Sequence, residues 1–439
     1  MRRTNSTAAP GSRPRLALLV ITLFFCGYFL GLSTKHFLVP GLPEPEDEVV
    51  QGTAVGKGKA VVIVDEFKAP DPNHPFRKFR GDTIHALHTS SGGDYQNYQS
   101  RIMYASFKLV QGMPGGEKLT AYTRILHRTV PDYLMDEVPT FHVKPVKPQC
   151  DGWCDYPVAN RPHAIKAWFD AAAKDPSMAQ GAWFFMLEAD YVWMRPMQIP
   201  GSAWDPDIPG VQYLFDYIQP WHPNAVPSIK KLYPGDIKDV PSSGPAPVLM
   251  RFEDFMKVVP TYVQASVTME QDEDMKTRLG WVREMYAWDA AVAVHKGDVK
   301  LRTEHFPYST TIVQPPFDVD LGQACMTHYT WGALYHEGIP SKGGKQVYRW
   351  EKRDIGRIDQ TLKIQPIPMP IPFREGLFLE FDAPLTKPRH NLIVKQLEQM
   401  NRAIATLPDL TEYYRTVAEP RIQEAIKKRD EENKLGKAA

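Results

Sequence analysis

Two carboxylates stand two positions apart at Glu188 and Asp190, directly after the uninterrupted apolar run Ala182–Leu187 (AWFFML). A short run that is apolar at every position reads as a central parallel strand buried on both faces. Acids at the carboxyl end of such a strand lie where an α/β sheet receives its ligands. Paired carboxylates at this spacing can hold a divalent cation, and a cation there can neutralise a diphosphate leaving group. The same spacing also describes two surface acids in a turn. His328, within MTHYTW, is a third candidate ligand supplied from far along the chain, although a lone histidine also serves purely structural ends.

A second acid of interest lies in WVREMY, which opens an apolar helix expected from Trp281 to about His295. Glu284 shares a face of that helix with Trp281 and Trp288, at i−3 and i+4. An acid among indoles either pairs with a buried cation or lines a site, where it can act at a reacting carbon. Glu284 is therefore the first candidate catalytic residue and Asp289 the second. Both have plain structural alternatives.

These residues need a scaffold, and the chain reads as an alternation of strands and helices. Ile84–Thr89 is a short buried strand, followed by Ser90, Ser91, Gly92 and Gly93 and a helix from about Asp94 to Val110. Tyr95, Tyr98, Ile102 and Leu109 give that helix an apolar stripe. Leu119–His127 and Thr140–Val143 read as further strands. Asn160 is placed to cap a helix with Pro162 in its first turn and Ile165, Trp168, Phe169 and Ala172 on one face. The β-α-β alternation predicts a doubly wound α/β sheet.

The chain has 439 residues, 43% hydrophobic and 23% charged, with a net charge of +1. That balance is ordinary for a globular protein and argues against a nucleic-acid partner, which selects a basic excess. Leu16–Leu32 carries no charge and follows Arg2, Arg3, Arg13 and Arg15. Extended to Thr34 it has about 19 residues, roughly 28 Å as a helix, which predicts a transmembrane anchor with a cytosolic tail at 1–15. A cleaved signal peptide is the rival reading. Residues 35–80 read as a stem, 81–345 as the catalytic domain and 346–439 as a Pro-rich and helical extension. Cys150 and Cys154 can close a short disulfide loop, or one of them can reach Cys325; a zinc site is disfavoured without a second cysteine pair.

Several ordered blocks closely resemble the plant and algal hydroxyproline O-arabinosyltransferases. They are HTSSGGDYQNYQSRIMY, AYTRILHRTVPDYLMDEVPTFHV, NRPHAIKAWF, MLEADYVWMRP, SVTMEQDEDMKTRLGWVREMYAW, IVQPPFD and THYTWG, between about His85 and Tyr335. The resemblance implies a GT-A-like, Rossmann-type glycosyltransferase domain behind an N-terminal transmembrane helix, as a single-pass type II protein of the Golgi membrane with its catalytic domain in the lumen. It implies transfer of L-arabinofuranose from UDP-β-L-arabinofuranose to 4-hydroxyproline of cell-wall proteins and secreted peptides, with retention, and a divalent metal, expected to be Mn²⁺. Glu188 and Asp190 match the two acids of the family's E-P-D motif, with Ala189 the departure. His328 matches the histidine of an HYTYG-like block, and Glu284 the acid of a GWVLEMYG-like segment. The insert CDGWC has no counterpart.

A GT-A-like domain receives its nucleotide near the first strand end, so His88, Thr89, Ser90 and Arg101, with Asp190, become candidate UDP-sugar contacts. An internal salt bridge is the other use for Arg101. An acceptor rich in hydroxyproline arrives as a polyproline II strand, which suits an aromatic groove; Tyr213, Phe215, Tyr217 and Trp221 can line it or pack the core. Two other functions stay open: a peptidyl-serine α-galactosyltransferase, which shares GW-x-x-EMY, and a non-catalytic lumenal homologue acting as a scaffold.

Overall fold

The structure is a computed structural model that describes residues 74–152 and 154–438. All of them fall in one compact unit. Its main sheet has seven strands in the order β3-β2-β1-β4-β7-β6-β8. They are β1 Ile84–Ser90, β2 Leu119–His127, β3 Thr140–Val143, β4 Trp183–Leu187, β6 Gly210–Tyr213, β7 Val248–Arg251 and β8 Leu301–Glu304. The longer helices are α1 Gly93–Gln111, α2 Arg161–Lys174, α3 Phe252–Gln271, α4 Arg283–Val294, α5 Lys387–Ile404 and α6 Glu419–Ala438.

The expected α/β architecture with a parallel-rich sheet is present. Strand β1 pairs in parallel with β2 on one side and β4 on the other. The sheet is not wholly parallel, because β7 runs antiparallel to both β4 and β6. The chain travels outward from β1 through β2 to β3 and then returns to the far side of β1 as β4. The order therefore switches between β1 and β4, and the region outside the carboxyl ends of those two strands is where an open α/β sheet receives its ligands. In register, His88 lies beside Leu187, so Glu188 and Asp190 leave the sheet next to Thr89 and Ser90.

Local chemistry accounts for these elements. Every residue of β4 is buried, and Phe184 packs among Phe76, Trp168, Phe169 and Phe252. Burying one such ring contributes about 1.5–3 kcal/mol. Gly92 and Gly93 turn β1 into α1 with φ of 66° and 77°, and a Cβ on Gly92 would meet the Arg128 side chain at 2.5 Å. The turn thus needs glycine for both its dihedral and its space. Helix α4 is buried almost all round, as an internal helix should be.

Two details depart from the reading of the sequence. Asn160 makes no side-chain cap on α2; its Oδ1 accepts instead from the Lys147 backbone N–H at 2.8 Å. The helix expected from Trp281 begins at Arg283, because Gly280 with φ 59° breaks the chain and leaves residues 280–282 as a single 3₁₀ turn.

Two small sheets flank the main one. β5 (Tyr191–Trp193) and β9 (Ile312–Val313) both pair with β10 (Met326–His328). β11 (Ala333–Glu337) pairs with β12 (Lys345–Trp350) and β13 (Leu377–Phe378). The β11–β12 ladder crosses the boundary expected at residue 345, so the later segment continues the fold.

The expected single-pass placement in the Golgi membrane is corrected. Among the described residues no helix is long and apolar enough to cross a membrane. The segment 16–34, the cytosolic tail and the stem up to residue 73 lie outside the described residues, so no anchor is supported.

Candidate active site

The ladder between β5 and β10 assembles the first cluster. Antiparallel pairing sets His328 opposite Tyr191, one residue after Asp190, and the Tyr329 N–H donates to the Asp190 carbonyl at 3.2 Å. His328 Nε2 lies 3.3 Å from Asp190 Oδ2. Glu188, Asp190 and His328 each offer a ligand atom, and these atoms all lie within 4.8 Å of one another. The structure therefore brings together the three residues expected to share a cation. Two carboxylates and one imidazole are a donor set that suits a hard or borderline divalent metal, and their mutual distances fit one ion.

Two cations border this cluster, and neither was singled out from the sequence. Lys352 Nζ lies 2.6 Å from Asp190 Oδ2. Arg161 Nη2 lies 2.6 Å from Glu188 Oε1. Lys352 is buried, and it reaches the site because the turn after β12 folds back over it. Burial by itself pushes the Asp190 carboxyl up, but Lys352 and His328 beside it more than offset this and hold it well below the usual carboxylate range.

Glu284 belongs to the same network through Arg161. Its two oxygens lie 3.4 and 3.3 Å from Arg161 Nη1, and the Tyr262 hydroxyl donates to it. Its backbone N–H donates to the Tyr156 hydroxyl at 3.1 Å. Burial raises its pKa, and Arg161 opposes that rise. Arg161 thus stands between Glu188 and Glu284 and gives a charge to each. The aromatic face expected around Glu284 is only half present: Trp288 is fully buried against Phe255 and Tyr262, whereas Trp281 is 43% exposed on the turn before the helix. Asp289 is fully buried and accepts from the Ser243 N–H with both oxygens, at 3.2 and 3.1 Å. This ties α4 to the 242–244 segment, and burial drives its pKa well up. These contacts give Asp289 the structural use that the sequence held open beside the catalytic one.

The first strand end is also mixed. His88 is buried with Nε2 3.1 Å from the Ser100 hydroxyl, while its Nδ1 has no hydrogen-bond partner among the described residues. Thr89 and Ser90 are buried at the end of β1, and Ser90 Oγ accepts from the Gly92 N–H at 3.0 Å. The phosphate contact expected of Arg101 is corrected by its surroundings. Its guanidinium makes a bidentate pair with Glu137, at 2.6 and 2.8 Å, and donates to the carbonyls of Thr361, Leu362 and Pro408. Those bonds occupy its five N–H donors, so it fastens α1 to the C-terminal segment. Of the expected groove aromatics, Tyr213 and Phe215 are buried, Tyr217 is half-buried and Trp221 is exposed.

Cys150 and Cys154 form a disulfide, and Cys325 is free and buried beside Met197. The short loop is thus closed on itself. Asp151 within it accepts from the Thr129 N–H at 2.8 Å, just past the end of β2.

Residues 84–302 match the hydroxyproline O-arabinosyltransferase family N-terminal domain. A Lotus japonicus protein named Hydroxyproline O-arabinosyltransferase PLENTY is 30% identical over 331 residues, spanning 74% of this chain and 81% of that protein. The chain belongs to the hydroxyproline O-arabinosyltransferase family. A second member, Hydroxyproline O-arabinosyltransferase RDN1 of Medicago truncatula, is 32% identical over 292 residues, 65% of this chain and 76% of that one. Within this glycosyltransferase family the N-terminal domain match contains Arg161, Glu188, Asp190 and Glu284, whereas His328 and Lys352 lie beyond it. Among solved structures, a glycosyltransferase involved in the glycosylation of the major capsid of PBCV-1 overlays 56% of this chain and 93% of its own at 11% identity and a TM-score of 0.30. An overlay that loose carries no inference.

Proposed function

We propose that this chain transfers L-arabinofuranose from UDP-β-L-arabinofuranose to the hydroxyl of 4-hydroxyproline in secreted or cell-wall proteins, with retention, on a GT-A-like domain. The observation that carries the reading is the convergence of Glu188, Asp190 and His328 beyond the carboxyl end of β4, where the strand order switches, in a chain of this family. Glu188, Asp190 and His328 would hold a divalent cation, with Mn²⁺ the expected ion, which would supply Lewis-acid neutralisation of a diphosphate leaving group.

The chain's own residues do the rest. Lys352 and Arg161 bring two fixed positive charges to the edge of the acid pair, where they face the donor's phosphates and complement the charge that builds on the leaving oxygen. His88, Thr89 and Ser90 close the nucleotide side of the site from the end of β1. The bond between the anomeric carbon and the phosphate oxygen breaks with its electron pair going to UDP. The hydroxyproline oxygen forms the new bond on the same face, and its proton passes to the departing phosphate oxygen. Glu284 acts through Arg161 as a positioning residue: it holds the guanidinium that in turn orients Glu188.

The test is a transfer assay with the purified chain, using UDP-arabinofuranose and UDP-galactose against hydroxyproline-rich and serine-rich peptides. Arabinose on hydroxyproline is the expected product. Galactose on serine would replace the reading with the sister activity. UDP binding without transfer to any peptide would make the chain a non-catalytic homologue.

A further inference from the structure

Phe317 and Trp331 form an edge-to-face pair, with ring centroids 4.6 Å apart and planes at 80°. Phe317 is 40% exposed and Trp331 half-buried. Neither ring belongs to a hydrophobic core cluster among the described residues. Two large aromatics paired outside those clusters leave ring surface that the core does not use.

The pair is fastened to the candidate metal ligands by short links. Trp331 follows His328 by three residues, and the intervening Thr330 hydroxyl lies 2.9 Å from His328 Nε2. Thr330 Oγ1 also lies 3.5 Å from Gln314 Oε1, and the Gln314 carbonyl accepts from the Phe317 N–H at 2.9 Å. The two rings are thus tied to a candidate metal ligand through three residues of chain and a short series of hydrogen bonds.

Charge gives the ligand a second property. Asp318 follows Phe317, and its Oδ2 accepts from the Gln314 N–H at 2.5 Å. Burial, together with the nearby charges of Asp216 and Asp320 and opposed by that backbone bond and by Arg389, pushes its carboxyl up to about 6. Asp216 and Asp320 are exposed. Asp318 and Asp320 follow Phe317 closely in the chain, and the Tyr213 hydroxyl 3.5 Å from Gln314 Nε2 brings the segment carrying Asp216 beside them; acids gathered in this way repel an acidic ligand and attract a basic one.

We propose that Phe317 and Trp331 are the acceptor subsite, a platform for the pyrrolidine rings of an extended hydroxyproline-containing peptide, and that Asp216, Asp318 and Asp320 select peptides with lysine or arginine beside the modified residue. This rests on the function proposed above and names its acceptor class. Proline rings present C–H bonds made electron-poor by the adjacent amide, and these pack on the electron-rich faces of aromatic rings. A polyproline II chain arrives already ordered, so little entropy opposes docking.

The test measures acceptor and donor kinetics, and also binding of the unmodified peptide by calorimetry with UDP present. The peptides are a hydroxyproline repeat flanked by lysine and the same repeat flanked by glutamate. Trp331→Ala and Phe317→Ala should each raise the acceptor KM about tenfold, or about 1.4 kcal/mol, with the donor KM unchanged. Trp331→Phe and Phe317→Tyr should recover most of the loss. Wild type should prefer the lysine peptide, and Asp216→Asn with Asp320→Asn should erase that preference. Alanine variants that are folded and keep the wild-type acceptor KM would overturn the platform, and equal KM for both peptides would overturn the charge selection. If wild type transfers to no hydroxyproline peptide, the activity reading fails by itself. The subsite then stands or falls on whether calorimetry shows peptide binding that Trp331→Ala removes.

Discussion

Lys352 Nζ lies 2.6 Å from Asp190 Oδ2, although 162 positions separate the two residues. Lys352 is buried and the Asp190 side chain is only 15% exposed, so water supports neither charge fully, and each is the other's main compensation. Removing one partner of a buried pair costs about 3–5 kcal/mol, because the survivor stays buried and unpaired. The same pair sits on a candidate metal ligand, which makes stability and activity separable by design.

Asp190→Asn should abolish transfer and divalent-metal binding, and it should also lower Tm because Lys352 loses its counter-charge. The double variant Asp190→Asn with Lys352→Met should recover much of the Tm and none of the activity. Thermal unfolding and calorimetric titration with Mn²⁺ read the two effects apart. Full metal affinity in the folded single variant would remove Asp190 from the ligand set.

Glu284→Gln keeps the size of the side chain and the hydrogen bond from Tyr262 but deprives Arg161 of one of its two acids. The expected result is weaker Mn²⁺ and UDP-sugar binding, severalfold or more, as Arg161 and Glu188 lose their common orientation. A residue acting directly at the anomeric carbon would behave differently: kcat would fall by orders of magnitude while UDP binding stayed at the wild-type level. Measuring both constants decides between positioning and direct chemistry.

Arg101→Ala should leave the donor KM of the folded protein unchanged and lower its stability by about 3–5 kcal/mol, since Glu137 and three carbonyls lose their donor at once. Denaturant unfolding gives the stability, and initial rates at saturating acceptor give the donor KM. A raised donor KM at unchanged stability would return Arg101 to the phosphates.

Asp318 supplies a pH dependence with a definite sign. Its folded pKa of about 6 lies above the ordinary value of 3.8, so the folded state holds the proton more tightly than the unfolded chain. Stability from this group is complete below about 3.8 and is lost as pH rises through 6. Asp318→Asn should therefore raise Tm relative to wild type at pH 7 and not at pH 4, which a pair of thermal scans at the two pH values checks.

The strands and their ends were legible in the chain itself. AWFFML, IHALHT and LTAYTRILH are strands within a residue or so of where they were read, and a continuous apolar run such as AWFFML has few other uses in a polar chain. The acids after β4 were legible for the same reason, since the end of a buried strand is where polarity must return. The matching blocks also carried the family before any geometry was known. Helix α4 was less legible: its start depends on the backbone turn at Gly280, and side-chain periodicity alone carried the pattern back to Trp281.

What the tertiary structure alone decided is which charges meet. Arg101 and Arg161 look alike along the chain, yet one is spent on Glu137 and the C-terminal carbonyls and the other bridges Glu188 and Glu284. Lys352 lies in a stretch read as an extension, and only the β11–β12 ladder turns it back onto Asp190. Periodicity reports which face of an element is buried, because that depends on neighbours within a few residues. The partner of a buried charge is chosen by strand order and loop path across hundreds of residues, and no local spacing encodes it.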